Sequence, residues 1–216
     1  MIGPLDRLLM RRAQLVGPRD RDRLEDERFT LVSNDCWGAE VYRHLRLSYT
    51  TPFVGLFVPA PDYLMMLSDL ERWVHAPMRF VERSRYPEYG EPPYPVARLD
   101  GEVELHFVHH TDPATAEATW RRRAERMDFD RLVVKLSAAK DRCTDEHVRA
   151  LDAMDGVGRL CLSPVAMPDV ACVRRVRLWS DNGKYLFYRC LLDLDIVAWL
   201  NAASRKNAAT AGVARV

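Results

Sequence analysis

The amino-acid sequence predicts a three-layer α/β sandwich whose mostly parallel sheet also carries one antiparallel hairpin. Short apolar segments alternate with amphipathic ones, which is typical of strands followed by helices. Asp100-Gly101 separates two apolar runs and is a strong hairpin signal. The 216 residues are 48% apolar, enough for a full core. We therefore expect a single α/β domain over residues 29–203, a basic helical arm over residues 1–28 and a disordered tail over residues 204–216.

The predicted elements follow the apolar pattern in chain order. Runs of apolar and β-branched residues indicate strands, whereas apolar residues three or four positions apart indicate helices. Residues 184–193 fit either a strand or a helix. The predicted strands are residues 29–32, 51–58, 78–81, 95–99, 103–109, 131–136 and 159–162, and the predicted helices are residues 38–47, 63–73, 111–127, 145–154 and 194–203.

Composition narrows the class of protein. The 32 basic and 31 acidic residues give a net charge of +1, so nucleic acid is not an expected partner. No apolar run approaches the roughly 20 residues that span a bilayer, and the amino terminus lacks the apolar core of a signal peptide. We therefore predict a cytoplasmic protein without a transmembrane segment. The arginines of the arm, among them Arg7, Arg11 and Arg12, fit either a solvated helix or a contact with the inner membrane face.

The cysteines indicate reduced thiols. Cys36, Cys143, Cys161, Cys172 and Cys190 show no CxxC spacing, which argues against a disulfide framework or a zinc cluster. Three of them lie in apolar runs, where a free cysteine acts as a small core residue. Cys36 and Cys143 differ because each lies beside polar residues at a predicted turn.

The turn after the first predicted strand has the composition of a reactive site. Asp35 and Cys36 lie where a strand ends and a helix begins, the position at which open α/β sheets place ligands. A helix amino terminus favours a thiolate, and a histidine from the strand that ends near His106 and His109 could act as its base. We therefore predict four catalytic residues, Cys36, His106, His109 and Asp35. The alternative is that Cys36 is a structural residue.

Several stretches of the sequence carry unusual motifs: Ser33 to Tyr42, Tyr49 to Phe57, Ala60 to Tyr63, Glu104 to His109, the Trp120 helix, and Val134-Lys135 through Cys143-Thr144. Together they resemble a bacterial family described as exopolysaccharide biosynthesis proteins, with the domain of unknown function nineteen-nineteen. The resemblance runs from about Phe29 to about Pro164 and implies an α/β fold. The opening turn is also similar to that of coenzyme-A-binding sugar acyltransferases with a Gly-Asn-Cys-Gln motif, although Asp35 here separates Asn34 from Cys36.

The resemblance implies a role in polysaccharide or glycoconjugate biosynthesis but no particular reaction, and the residues of the turn indicate a carbohydrate-modifying transferase. We predict an acyltransferase that takes acyl-coenzyme A as donor, a sugar or glycan hydroxyl as acceptor, and no metal. The alternatives are a glycosyltransferase that uses a nucleotide sugar with Asp35, Asp100 or Glu104, and a non-catalytic carbohydrate-binding or assembly factor that stacks sugars on Tyr86, Tyr89 and Tyr94. The predicted substrate-binding residues are Ser33, Asn34, Trp37, Gly38, Lys135, Cys143 and Thr144.

Overall fold

The computed structural model describes the backbone of residues 2–213 and the side chains of residues 2–207. The strands are β1 (Thr30–Ser33), β2 (Met78–Val81), β3 (Val96–Leu99), β4 (Val103–His106), β5 (Leu132–Ser137), β6 (Gly158–Ser163) and β7 (Val173–Arg175). The α-helices are α1 (Pro4–Asp22), α2 (Trp37–His44), α3 (Ala60–Ser68), α4 (Leu70–His75), α5 (Pro113–Ala124), α6 (Asp145–Asp152), α7 (Gly183–Cys190) and α8 (Ile196–Val213).

A parallel sheet of order β1-β5-β6-β7 forms the central layer. Its strands alternate between two apolar cores, as a strand buried on both faces requires. Leu31 and Val133 face α2, α7 and α8, whereas Val32 and Val134 face the other core, which includes residues of α3 and α5. The predicted three-layer α/β architecture is confirmed.

The antiparallel hairpin belongs to a second sheet, of order β2-β3-β4, and not to the parallel sheet as predicted. Its turn is where the sequence places it. Asp100 and Gly101 both have positive φ, 50° and 77°, a conformation that suits Asp-Gly turns. Ala97 and Leu105 pack into the core shared with Val134, so the second sheet covers one face of the parallel sheet.

Two predicted elements differ from the structure, and one strand of the structure has no predicted counterpart. Residues 51–58 are buried but irregular, with Gly55 at φ 82° and a single bridge from Phe57 to His106, so the predicted strand is wrong. The helix predicted over residues 63–73 is two helices, because Asp69 ends α3 and its side chain caps α4 by accepting from the Arg72 N–H. β7 was not predicted, since its two arginines are exposed.

The amino-terminal arm and the carboxy-terminal segment both pack on the α/β domain. Asp6 of α1 accepts from Arg189 of α7 at 2.8 and 3.0 Å, and Asp20 pairs with the buried His44 of α2 at 2.8 Å. α8 continues to Val213 through residues predicted to be disordered, and residues 214–216 lie outside the described part. Across residues 2–213, no helix combines the length and apolarity needed to cross a membrane.

Candidate functional site

Asp35 is the centre of a buried polar cluster at the carboxyl end of β1. Its carboxylate accepts hydrogen bonds from Lys135 Nζ at 2.8 Å and from Ser137 Oγ at 2.8 Å. Lys140 Nζ lies 3.1 Å from the second carboxylate oxygen, and the Trp37 backbone N–H donates at 3.0 Å. The site therefore forms because β1 and β5 are parallel neighbours whose carboxyl ends meet at one edge.

The charges of this cluster follow from its burial and its pairing. Burial alone would raise the pKa of Asp35, but the two ammonium groups and the hydrogen bonds hold it well below the usual range. Burial lowers the pKa of Lys135, and Asp35 opposes that shift. Lys140 is also largely enclosed, yet Asp35 and Asp141 raise its pKa. Asp35 is therefore an ionised anchor. It is a poor general base, because its oxygens already accept hydrogen bonds from the cluster.

The loop after β5 holds Lys140 under local backbone strain. Ala139, Asp141 and Arg142 all have positive φ, between 48° and 63°, which is unfavourable for residues with a Cβ. Lys140 donates to the Asp181 carbonyl at 2.8 Å, and Asp141 accepts from the Ala60 N–H at 2.8 Å. Strained residues of this kind often cluster at functional sites, which directs attention to this edge of the sheet.

The amino ends of α2 and α7 meet beside Asp35. Gly183, the first residue of α7, approaches so closely that an added Cβ would lie 2.9 Å from the Trp37 nitrogen and 3.1 Å from the Asp35 carboxyl carbon. Asn182 caps α7 by accepting from the Lys184 and Tyr185 N–H groups. Both helix dipoles therefore direct their positive ends toward the Asp35 carboxylate.

A cleft of about 810 Å³ opens above this cluster, outside the carboxyl ends of the parallel strands. Its walls combine the turn after β1, the irregular segment before α3, the end of the second sheet, α5 and the start of α7. The residues that line it include Asp35, Cys36, Glu40, Arg43, Tyr49, Gly55, Phe57, His109, His110, Arg123, Lys140, Asp141, Asp181 and Lys184.

Cys36 lines the cleft but lacks the surroundings of a reactive thiolate. Burial and the neighbouring Asp35 carboxylate raise its pKa to about 12. Its Sγ lies 3.9 Å from the Leu56 carbonyl, and none of its hydrogen bonds involves a histidine. Burial of the thiol and the charge of the neighbouring Asp35 carboxylate outweigh the helix amino terminus, which predicted a lowered pKa. These surroundings do not favour the thiolate that the sequence predicts.

His106 and His109 lie in different environments. His106 is fully buried, stacked on Phe57 with ring centroids 4.4 Å apart, and its Nε2 lies 3.0 Å from Glu104 Oε1. The Glu104 carboxylate also contacts Ser84 and Arg98, which makes this pair part of the second sheet's polar core. The structure does not bring His106 to Cys36. His109 is exposed on the cleft wall, so it is the accessible base among the predicted residues.

The predicted binding residues in the first turn mostly support Asp35. Asn34 accepts from the Ser137 N–H at 2.9 Å, and its own carbonyl accepts from Val58. Trp37 is buried, and its indole N–H donates to Cys190 Sγ at 3.3 Å. The Lys135 ammonium lies over the Trp37 ring. Ser33 Oγ lies 3.3 Å from Asp35, and Gly38 allows close approach, because an added Cβ there would lie 2.7 Å from the Ser33 Cβ.

Lys135, Cys143 and Thr144 are also absent from the cleft wall. Lys135 lies beneath it, in the buried cluster. Cys143 is half-buried with its pKa raised by burial to about 12, and Thr144 begins α6 with its Oγ1 2.8 Å from His147 Nδ1. These two residues therefore act in the local structure of the loop and helix after β5.

Arg123 and the start of α7 are the cleft features that the sequence did not identify. Arg121, Arg122 and Arg123 read as the solvent-facing side of the predicted helix, yet Arg123 lies three residues after the buried Trp120, on the adjoining side of the helix. Asn182-Gly183 before Leu186 and Cys190 is a helix-start signal that was not used. With these two signals, the sequence would also have predicted that α5 and the start of α7 form walls of the cleft.

The fold and the cleft define an α/β protein with a candidate ligand site at a carboxyl strand edge. The model of a family described as Domain of unknown function (DUF1919) matches residues 10–201, and the chain belongs to that family. A protein of Haemophilus influenzae described as "Uncharacterized protein" is 27% identical over 132 residues, which cover 61% of this chain and 60% of that protein. The chain thus matches less than two thirds of that relative's length. The predicted domain of unknown function is confirmed, whereas the link to exopolysaccharide biosynthesis stays a prediction.

Proposed function

We propose that this chain is a carbohydrate-modifying transferase of polysaccharide or glycoconjugate biosynthesis, which acylates a sugar hydroxyl. The observation that carries the proposal is the open cleft of about 810 Å³ with exposed His109 on one wall and charged Lys140 on its floor. Its volume suits a sugar together with the reactive end of a donor. The link to exopolysaccharide rests on the motif resemblance alone.

The geometry favours direct transfer over a covalent thioester on Cys36. In the proposed step, His109 accepts the proton of the sugar hydroxyl as its oxygen attacks the carbonyl carbon of an acyl-coenzyme A. The new C–O bond forms, the C–S bond breaks, and the imidazolium returns the proton to the departing coenzyme A thiolate. Lys140, kept charged by Asp35 and Asp141, stabilises the negative oxygen between these events.

The alternatives have weaker geometric support. For the glycosyltransferase, Asp35 and Glu104 are both already held by cationic or hydrogen-bonding partners, and Asp100 lies on the exposed hairpin turn. For the carbohydrate-binding factor, Tyr89 packs on Phe57 and His106, with ring centroids 5.3 and 4.8 Å away. Neither arrangement presents a free carboxylate pair or an open aromatic platform.

An activity assay with matched histidine variants tests the proposal. Purified protein is incubated with acetyl-coenzyme A and a panel of free and nucleotide-linked sugars, and released thiol and acetylated sugar are measured. We expect His109→Gln to reduce turnover by about 100-fold or more, whereas His75→Gln, an exposed position on α4, leaves it unchanged. Equal rates for the two variants would remove His109 from the mechanism. Sugar transfer from a nucleotide sugar, with no acyl transfer, would instead establish the glycosyltransferase.

We also propose that the protein is cytoplasmic and works at the inner membrane face. Leu5, Leu8 and Leu15 of α1 are 42%, 64% and 78% exposed, and they lie on one side of the helix among arginines. Exposed apolar residues with basic neighbours fit an anionic lipid surface. Co-sedimentation with vesicles of anionic lipid should exceed that with neutral vesicles, and Leu8→Gln with Leu15→Gln should abolish the difference.

A further inference from the structure

Arg123 is a half-buried cation without an acidic partner. Its guanidinium donates to the Val54 carbonyl at 3.0 Å, and its Cζ lies 5.2 Å from the centre of the Tyr49 ring. Among the side chains of residues 2–207, it forms no salt bridge, whereas Arg43 on the same cleft pairs with Glu40 at 2.7 Å. An arginine stays charged in a protein, so this charge faces the cleft without compensation.

His110 shares this wall and also has unused hydrogen-bonding capacity. Its Nδ1 is enclosed and has no hydrogen-bond partner among the described atoms. Burial, together with Arg123 and His109, lowers the pKa of His110, so the ring is neutral at pH 7 and can donate one N–H. The nearest acid in sequence, Asp112, already caps α5 by accepting from the Thr115 N–H at 2.8 Å.

These groups match one class of ligand. Removing a charge from water without a partner is costly, and a bound anion would offset that cost. The planar guanidinium can donate two parallel N–H groups to one phosphate, and the His110 Nε2–H can donate a third, because the enclosed Nδ1 is closed to a ligand. Val54 and Tyr49 fix the orientation of the guanidinium before a ligand arrives, which lowers the entropy lost on binding.

We propose that Arg123 and His110 form a phosphate-binding subsite for the nucleotide part of the donor. This inference rests on the proposed transferase function and deepens it, since it specifies which wall holds the donor phosphate. Coenzyme A and nucleotide sugars share this chemistry, so the subsite serves a phosphate-bearing donor whichever group is transferred. The acceptor sugar then occupies the part of the cleft nearer Lys140 and Lys184.

Binding measurements with neighbouring arginine variants test the subsite. The probes are inorganic pyrophosphate, coenzyme A and uridine diphosphate glucose, each titrated calorimetrically at low and moderate salt. Arg123→Gln should weaken binding of the preferred probe by about tenfold or more, because a charge-assisted hydrogen bond is lost. Arg122→Gln removes the same charge from an exposed position of the same helix and should change affinity by less than about twofold.

Two further variants separate binding from folding. Arg123→Lys keeps the charge but loses the planar fork, and should retain thermal stability while still weakening the phosphate probe. His110→Gln should weaken the same probe by a smaller factor. Equal affinities for Arg123→Gln and Arg122→Gln, or no binding of any phosphate probe to the wild type, would overturn the subsite. Phosphate binding through Arg123 without acyl transfer would support the subsite while rejecting the proposed reaction.

Discussion

Replacing Asp35 by asparagine should destabilise the protein strongly, because the buried Lys135 ammonium loses its carboxylate partner, whereas Lys140 keeps Asp141. Lys135 is fully buried with its Nζ 2.8 Å from the Asp35 carboxylate, and Lys140 lies 3.1 Å away. Breaking a buried ion pair by removing one partner costs about 3–5 kcal/mol, since the other charge remains enclosed. We therefore expect Asp35→Asn to lower the free energy of unfolding by about that amount at pH 7.

The dependence on pH has a definite sign. The folded-state pKa of Asp35 is depressed, so its stabilising contribution is complete above the unfolded carboxyl pKa of about 4 and is lost as the pH falls toward the folded pKa. The wild type and Asp35→Asn should therefore differ fully at pH 7 and converge progressively below about pH 4.

Urea denaturation monitored by circular dichroism, with midpoint and slope fitted together, measures these differences. Asp130→Asn is the matched control, because Asp130 is exposed and forms no salt bridge among the described side chains. Adding Lys135→Met to Asp35→Asn should recover at least about 1 kcal/mol, since the unpaired buried ammonium disappears. A loss of less than about 1 kcal/mol for Asp35→Asn would refute the inference that the cluster is a charged anchor.

Three further outcomes follow from the site. Cys36, with its pKa raised to about 12, should react with iodoacetamide at pH 7.5 far more slowly than free cysteine, and rapid stoichiometric labelling by mass spectrometry would contradict this. Ala139→Gly should raise the unfolding free energy by about 0.5–1 kcal/mol, since φ is 60° at an exposed position; no gain in the urea midpoint would argue against strain. Gly183→Ala should cost about 1–3 kcal/mol of unfolding free energy, because the added Cβ would meet the Trp37 nitrogen and the Asp35 carboxyl, whereas an unchanged melting temperature would show that α7 shifts without cost.

The layered fold was predictable because apolar periodicity reports burial well. β1, β5 and β6 lie in apolar runs of the sequence, and all three are largely buried strands of the parallel sheet. The same signal failed at residues 51–58, which are buried without a strand ladder because Gly55 takes φ 82°. The apolar residues of this segment indicate that it is buried, but they do not indicate which backbone groups it pairs with. The apolar pattern missed the short β7 for the opposite reason, because two of the three residues of this strand are exposed.

The position of the site was predictable from Asp35 and Cys36, but the chemistry of its residues was not. The pKa of Cys36 is raised first by burial of the thiol and then by the charge of the Asp35 carboxylate, and the burial is not visible in the sequence. His106 is removed from the site by Glu104, two residues earlier on β4, and by the stacked Phe57. Arg123 reaches the cleft from a helix about 90 residues further along the chain. Such relationships depend on three-dimensional packing that a linear pattern does not contain.

The long separation between β1 and β5 has a consequence for biosynthesis. Thr30 pairs with Leu132, and Asp35 is enclosed only when Gly183 arrives with α7. At a typical elongation rate of about 5–20 residues per second, roughly 5–20 seconds pass before β1 meets its partner strand. During that interval Leu31 and Val32, both fully buried in the finished protein, have no sheet to join. The nascent chain therefore offers chaperones an exposed apolar segment until β5 has been made, and the candidate site can be assembled only after α7 has been made.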